Sequence, residues 1–153
     1  MIKLDEITFA LLRELQANAR LSLQELSQRV GLSPSPCARR IRMLEDEGVI
    51  TGYHAAINET KVGRGFSVFV SVKLDRQVDD ALREFEKAIG SYPEVVEGWL
   101  MTGNRDYLLR IAVKDTAAFE HFLTGRLTKL PQVASIESSI PLRRIKVGPA
   151  RSG

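Results

Sequence analysis

The chain is most informative first by what it lacks. A single cysteine, Cys37, stands among 153 residues, so no intramolecular disulfide can form. Only two histidines accompany it, which argues against a Cys/His metal cage. The apolar runs are only a few residues long, far short of the roughly 20 that a transmembrane helix needs. The N-terminus, Met1-Ile2-Lys3-Leu4-Asp5, has no apolar signal core and no cleavage site. That absence makes the cytoplasm the expected compartment, with no membrane partner. No Ser/His/Asp set, phosphate loop or metal-ligand spacing is visible, so neither a catalytic residue nor a cofactor is expected.

Charge of one sign is also scarce. The formal net charge is +3, but residues 1–60 carry 7 Lys/Arg against 8 Asp/Glu. Residues 141–153 hold Arg143, Arg144, Lys146 and Arg151 without an acid. This basic tail reads as a solvated, partly disordered end rather than a phosphate arm. Bulk charge therefore does not mark a nucleic-acid binder; local pattern must.

That pattern lies in the first sixty residues. Ile7, Leu11, Leu12 and Leu15 recur at helical spacing behind Asp5, a plausible N-cap. Ser22-Leu23-Gln24-Glu25 is a capping box, with Leu21 and Leu26 as its hydrophobic staple. This second helix stops at Gly31. A third helix begins at Ser33-Pro34 and runs to about residue 47, although Pro36 leaves Ser35 open as the cap. Two short helices joined by a glycine turn, with a helix to pack on, make a helix-turn-helix.

At about 100° per residue, Cys37, Ile41 and Leu44 form the buried stripe of the third helix. Ser35, Arg39 and Met43 lie opposite, flanked by Arg40 and Arg42. Asp46 and Glu47 come only at the far end. Such a helix suits the major groove by its N-terminal half, where free amides attract phosphate and arginine can reach guanine. Ser33, Ser35, Pro36, Arg39, Arg40 and Arg42 are the expected DNA contacts. Residues 49–57 are β-prone and suit a wing or linking strand, and the glycines at 63 and 65 mark a hinge.

From residue 66 the periodicity changes. Residues 66–74 alternate as a strand. A helix follows at 79–89, strands at 95–102 and 106–113, a helix at 116–130 and a strand at 133–142. The order βαββαβ is a ferredoxin-like split βαβ unit, so the whole is α+β. With Asn104-Arg105 as the hairpin turn, Leu100 falls opposite Leu109 and Trp99 opposite Arg110. The helix-covered face is then Val68, Val70, Val96, Leu100, Leu109, Ile111, Ile136 and Ile140. The other face presents Phe69, Trp99, Met101, Leu108 and Arg110, together with Glu97 and Glu137. It is too apolar to stay wet and too polar for a core, so it is the expected homodimer face. Trp99 over Arg110 reads either as a cation–π pair or as plain packing.

Several segments carry a family resemblance. They are Leu4-Asp5, Ala19-Arg20-Leu21-Ser22, Glu25-Leu26-Ser27, Val30 through Cys37, Arg40-Ile41, Leu44-Glu45, Gly48 through Tyr53, Pro93-Glu94-Val95 and Thr102 through Leu109. Together they resemble the Lrp/AsnC, or feast/famine, transcription regulators over almost the whole chain. The resemblance implies a winged-helix-like DNA-reading domain at 1–53, a linking strand and hinge at 54–65, a ferredoxin-like effector-binding and oligomerisation domain at 66–147, and a flexible tail at 148–153. It implies a two-fold double-stranded operator, a small amino-acid effector, and a homodimer assembling into even oligomers such as an octamer. It also implies that Thr102, Gly103, Asn104, Arg105 and Asp106 hold the effector, with amides for its carboxylate and Asp106 for its ammonium. Arg105 is not fixed by the family pattern. Two other readings stand beside this one. A tetrapyrrole decarboxylase-like enzyme of the same fold would need a histidine in a large pocket, and His54 and His121 are far apart. A co-regulator without DNA binding is disfavoured by Arg39, Arg40 and Arg42.

Overall fold

Asp5 opens the first helix, α1 (Glu6–Ala17), by accepting the Thr8 amide hydrogen at 2.9 Å. The structure is a computed structural model, and it describes residues 4–145. These divide into two compact units, residues 4–56 with 144–145, and residues 57–143. The tail at 148–153, with Arg151, and Lys146 before it lie outside the described residues.

In the first unit, α2 (Leu23–Val30) starts at the capping box read from the sequence. Ser22 N donates to Glu25 Oε2 at 2.8 Å and Glu25 N donates to Ser22 Oγ at 3.2 Å. Gly31 ends the helix at φ 69°, a left-handed conformation that favours glycine. The third helix, α3 (Pro34–Asp46), has Ser33, not Ser35, as its N-cap. Pro36 is accepted because it falls in the first turn, where amides have no helical partner to lose. Leu11, Leu26 and Cys37 form the small core, with Leu15, Leu21, Val30, Leu32 and Ile41 around them. Each fully buried leucine is worth about 1.5–3 kcal/mol over an exposed one, so three short helices suffice only because these side chains converge.

The segment after α3, expected as a wing or linking strand, carries no strand among the described residues. Val49 N and Ile50 N both donate to Leu44 O, at 2.8 and 2.9 Å, and residues 51–57 pair with no strand. The segment has the β-branched residues of a strand but no strand partner among the described residues of its unit.

The second unit is a four-stranded antiparallel sheet of order β2-β3-β1-β4. Its elements are β1 (Phe66–Leu74), α4 (Asp79–Gly90), β2 (Val95–Leu100), β3 (Tyr107–Val113), α5 (Thr116–Gly125) and β4 (Val133–Ser139). Val68, Val70, Val72, Leu74, Phe85, Tyr107, Leu109, Ile111, Phe122 and Leu127 are its buried core. The final helix is shorter than expected. It breaks at Gly125, and Leu127–Lys129 continue as a 3-10 turn.

The hairpin register differs from expectation by two residues. Trp99 lies opposite Leu108, and Arg110 lies opposite Glu97. The loop closes through Met101 N to Asp106 O at 2.8 Å, leaving four residues in the turn instead of two. A shift of two preserves the faces. A bulge between Val95 and Glu97 does not, so Val95, rather than Val96, packs on the core. Leu100 is on the helix-facing side but 60% exposed, and Ile140 lies beyond the end of β4, also exposed.

Candidate nucleic-acid interface and effector turn

Helix α3 sorts its polar side chains by spacing. Ser33, Ser35, Arg39, Arg42 and Met43 are exposed, Pro36 is half-buried, and Cys37 and Leu44 are fully buried. No ion pair engages Arg39 or Arg42 among the described residues. Pro34 and Pro36 carry no amide hydrogen, so this edge combines the single Ser35 amide with hydroxyls and two cations. It can accept phosphates and offer guanidinium groups to base edges.

Arg40 is a correction. The side chain expected beside Arg39 on the DNA flank turns inward. Its Nη1 donates to Asp5 Oδ1 at 2.9 Å and to Thr8 Oγ1 at 2.7 Å. The reason is its position three residues after buried Cys37, which places it over the start of α1. Asp5, meanwhile, has its carboxyl held far below the usual range, first by Thr8 hydrogen bonds and then by Arg40. Sequence spacing could not reveal that partnership, because 35 residues separate its ends.

At the β2–β3 turn, Thr102, Gly103 and Asn104 are exposed and Arg105 half-exposed. Gly103 has φ 106°, and the space where a Cβ would sit is open. Asp106 is the second correction. It is not an outward ammonium ligand but 4% exposed. Its Oδ2 accepts Leu74 N at 2.7 Å and its Oδ1 accepts Gln77 Nε2. The bulge at Lys73/Leu74 leaves an amide of β1 without a ladder partner, and Asp106 satisfies it. Arg105 reaches across the sheet, donating to Ser135 Oγ and Glu137 Oε2, each at 2.8 Å. Gln77, Ser135 and Glu137 had no signal in the sequence linking them to the turn.

The uncovered sheet face carries half-buried Phe69 and Leu108 and exposed Trp99 and Met101. Arg110 is the third correction. It is 5% exposed and stands opposite Glu97, whereas Trp99 stands opposite Leu108. Its Nε donates to Glu97 Oε1 at 3.1 Å, and Nη1 and Nη2 donate to Glu59 at 3.0 and 2.9 Å. The register shift sets Glu97 opposite it, and the turn at residues 58–63 brings Glu59 over it. These acids, Glu59 first, raise its pKa further above the ordinary guanidinium value. On the helix side, an open groove of about 330 Å³ runs between α4 and β2, lined by Phe85, Ile89, Leu100, Tyr107 and Leu109. Gly98 lies among them with no side chain to fill it. Among the described residues no group of three or more His, Cys, Asp or Glu could hold a metal.

Comparison with known proteins agrees with this division of labour. Residues 4–51 match a winged helix-turn-helix DNA-binding model, and residues 67–150 match the Lrp/AsnC ligand binding domain. The Bkd operon transcriptional regulator of Pseudomonas aeruginosa is 46% identical over 145 residues, covering 95% of each chain. A transcriptional regulator from Neisseria meningitidis, solved with L-methionine, superposes with a TM-score of 0.90 at 39% identity, over 95% of this chain and 94% of that one. The feast or famine regulatory protein of M. tuberculosis, also complexed with L-methionine, gives 0.81 at 35% identity, over 95% and 97%.

Proposed function

The chain belongs to the Lrp/AsnC family of transcriptional regulators, and on that premise we propose that it reads a specific DNA site and responds to an amino acid. The observation that carries the DNA half is the outward edge of α3. Ser33 and Ser35 at the start of the helix, and Arg39 and Arg42 beyond them, face solvent, and neither arginine has an ion-pair partner among the described residues. Entering the major groove by its N-terminal end, α3 sets Arg39 toward a base edge and Arg42 toward phosphate. Ser33, Ser35 and Pro36 line the closest approach.

The effector half rests on the turn. The exposed backbone around Gly103 and Asn104 supplies amides for a carboxylate, and the turn carbonyls supply acceptors for an ammonium group. Thr102 flanks the opening, while Arg105 and Asp106 hold the turn in shape. The relatives solved with L-methionine make an amino acid the effector class to test first. The Phe69, Trp99, Met101 and Leu108 face supports a homodimer, and a two-fold dimer requires a two-fold operator. Pairing of dimers into an octamer brings turns from different dimers together. A ligand there acts on DNA only by favouring one assembly geometry over another.

The test is a gel shift with DNA flanking the chain's own gene, with and without each of the twenty amino acids. Retarded bands that one amino acid alters are expected. Arg39→Ala should cost about 1–3 kcal/mol at the specific site. Arg42→Ala should weaken all sequences alike and lower the salt slope by about one. Unchanged binding in both variants would take α3 out of the interface.

A further inference from the structure

Arg39 and Arg40 are neighbours on α3 with opposite destinations. Arg39 is exposed, whereas Arg40 is drawn into a triangle with Asp5 and Thr8. One oxygen, Asp5 Oδ1, accepts Thr8 N at 2.9 Å, Thr8 Oγ1 at 2.7 Å and Arg40 Nη1 at 2.9 Å. Thr8 Oγ1 in turn accepts from the same Nη1 at 2.7 Å. The Thr8 residue is 3% exposed, so its hydroxyl has little water to fall back on. The N-cap that starts α1 therefore also grips α3.

The grip matters because of what the core leaves undetermined. The core stripe of α3 is Cys37, which joins Leu11 and Leu26 in the buried cluster, with Ile41 packed against it and Leu44 buried farther along. Apolar contact along that stripe is non-directional and by itself sets no polar registry between α3 and α1. A charge-assisted, three-partner network is directional. Reading a base edge requires side chains held within about 0.5 Å and 10–20°.

We infer that Arg40 is a positioning residue for DNA reading: with Asp5 and Thr8 it fixes the roll of α3 and thereby the aim of Ser35 and Arg39. This rests on α3 being the reading helix.

Arg40→Met and Thr8→Val, singly and together, distinguish positioning from a phosphate contact. Under the inference each single change lowers affinity for the specific operator about tenfold, comparable to a mismatched base pair. Binding to unrelated duplex and the salt slope remain as in the parent, and the double variant loses no more than the worse single one. A phosphate contact predicts the opposite: equal loss on all sequences, a slope lower by about 0.9, and multiplying losses. That pattern, or full operator affinity in Arg40→Met, overturns the inference while leaving α3 as the reader. A parent protein with no sequence preference overturns the proposed function itself. If the variants do not fold, carbon-detected NMR titration of Asp5 in the DNA-free parent decides: a carboxyl titrating in the ordinary range near 3.9 shows no grip and overturns the inference. A depressed value that rises in folded Arg40→Lys supports it.

Discussion

The carboxylate of Asp106 accepts the backbone amide hydrogen of Leu74 at 2.7 Å, across 32 residues of chain. It joins the β2–β3 turn to the end of the central strand. A residue that looks like turn chemistry in the sequence is thus a buried anchor. Asp106→Ala would strand the Leu74 amide, at about 1–3 kcal/mol. Asp106→Asn, which keeps an acceptor, should lose less. Urea unfolding followed by circular dichroism measures both. Equal stability of Asp106→Ala and the parent would remove the anchor role and return Asp106 to the ligand.

Arg110 and its two acids predict an asymmetry. The Arg110 side chain is 6% exposed, but those of Glu59 and Glu97 are 35% and 40% exposed. Removing both acids leaves a buried guanidinium unpaired, at about 3–5 kcal/mol. Arg110→Met leaves two carboxylates that water can reach, and should cost less. Unfolding free energies in the reverse order would contradict this account.

Leu108 sits opposite Trp99 in the middle of the uncovered sheet face. If that face joins two copies, Leu108→Asp should weaken dimerisation by about 2 kcal/mol or more, roughly thirty-fold. Analytical ultracentrifugation across micromolar concentrations reads the change. An unaltered dimer would move the interface elsewhere.

Alkaline titration examines two phenols. Partial desolvation and a 2.8 Å hydrogen bond to Glu45 push the Tyr53 pKa up to about 12. Burial and Glu86 raise that of Tyr107 further. Both bind their protons more tightly folded than unfolded, where a phenol titrates near 10. Their contribution to stability is therefore complete below about pH 10 and is lost as pH rises through the folded values. Ultraviolet absorbance should show a step near 12 that Tyr53→Phe abolishes. Ionisation of all the phenols near 10 would refute the assignment.

Much of the architecture was legible because it is local. The capping box at Ser22 and Glu25 lies within one helical turn, and the glycine stop at Gly31 depends on its own backbone. The alternation of residues 66–74 marks β1 at its observed bounds, since a strand with one face covered repeats every two residues. The outward edge of α3 follows from helical spacing alone, and so do exposed Arg39 and Arg42.

Tertiary structure decided where the long polar side chains go. Arg40, Arg105, Asp106 and Arg110 all read as surface or site residues, and each found a partner 13 to 51 residues distant. Pattern gives the direction of a Cβ but not the end of a flexible side chain. That end goes wherever a buried charge or stranded amide must be satisfied, and such needs exist only once distant segments have met. The hairpin register shows the same limit. Periodicity set its faces, but the four-residue loop and the bulge at Val96 set which residues stand opposite, and so paired Arg110 with Glu97 instead of Trp99.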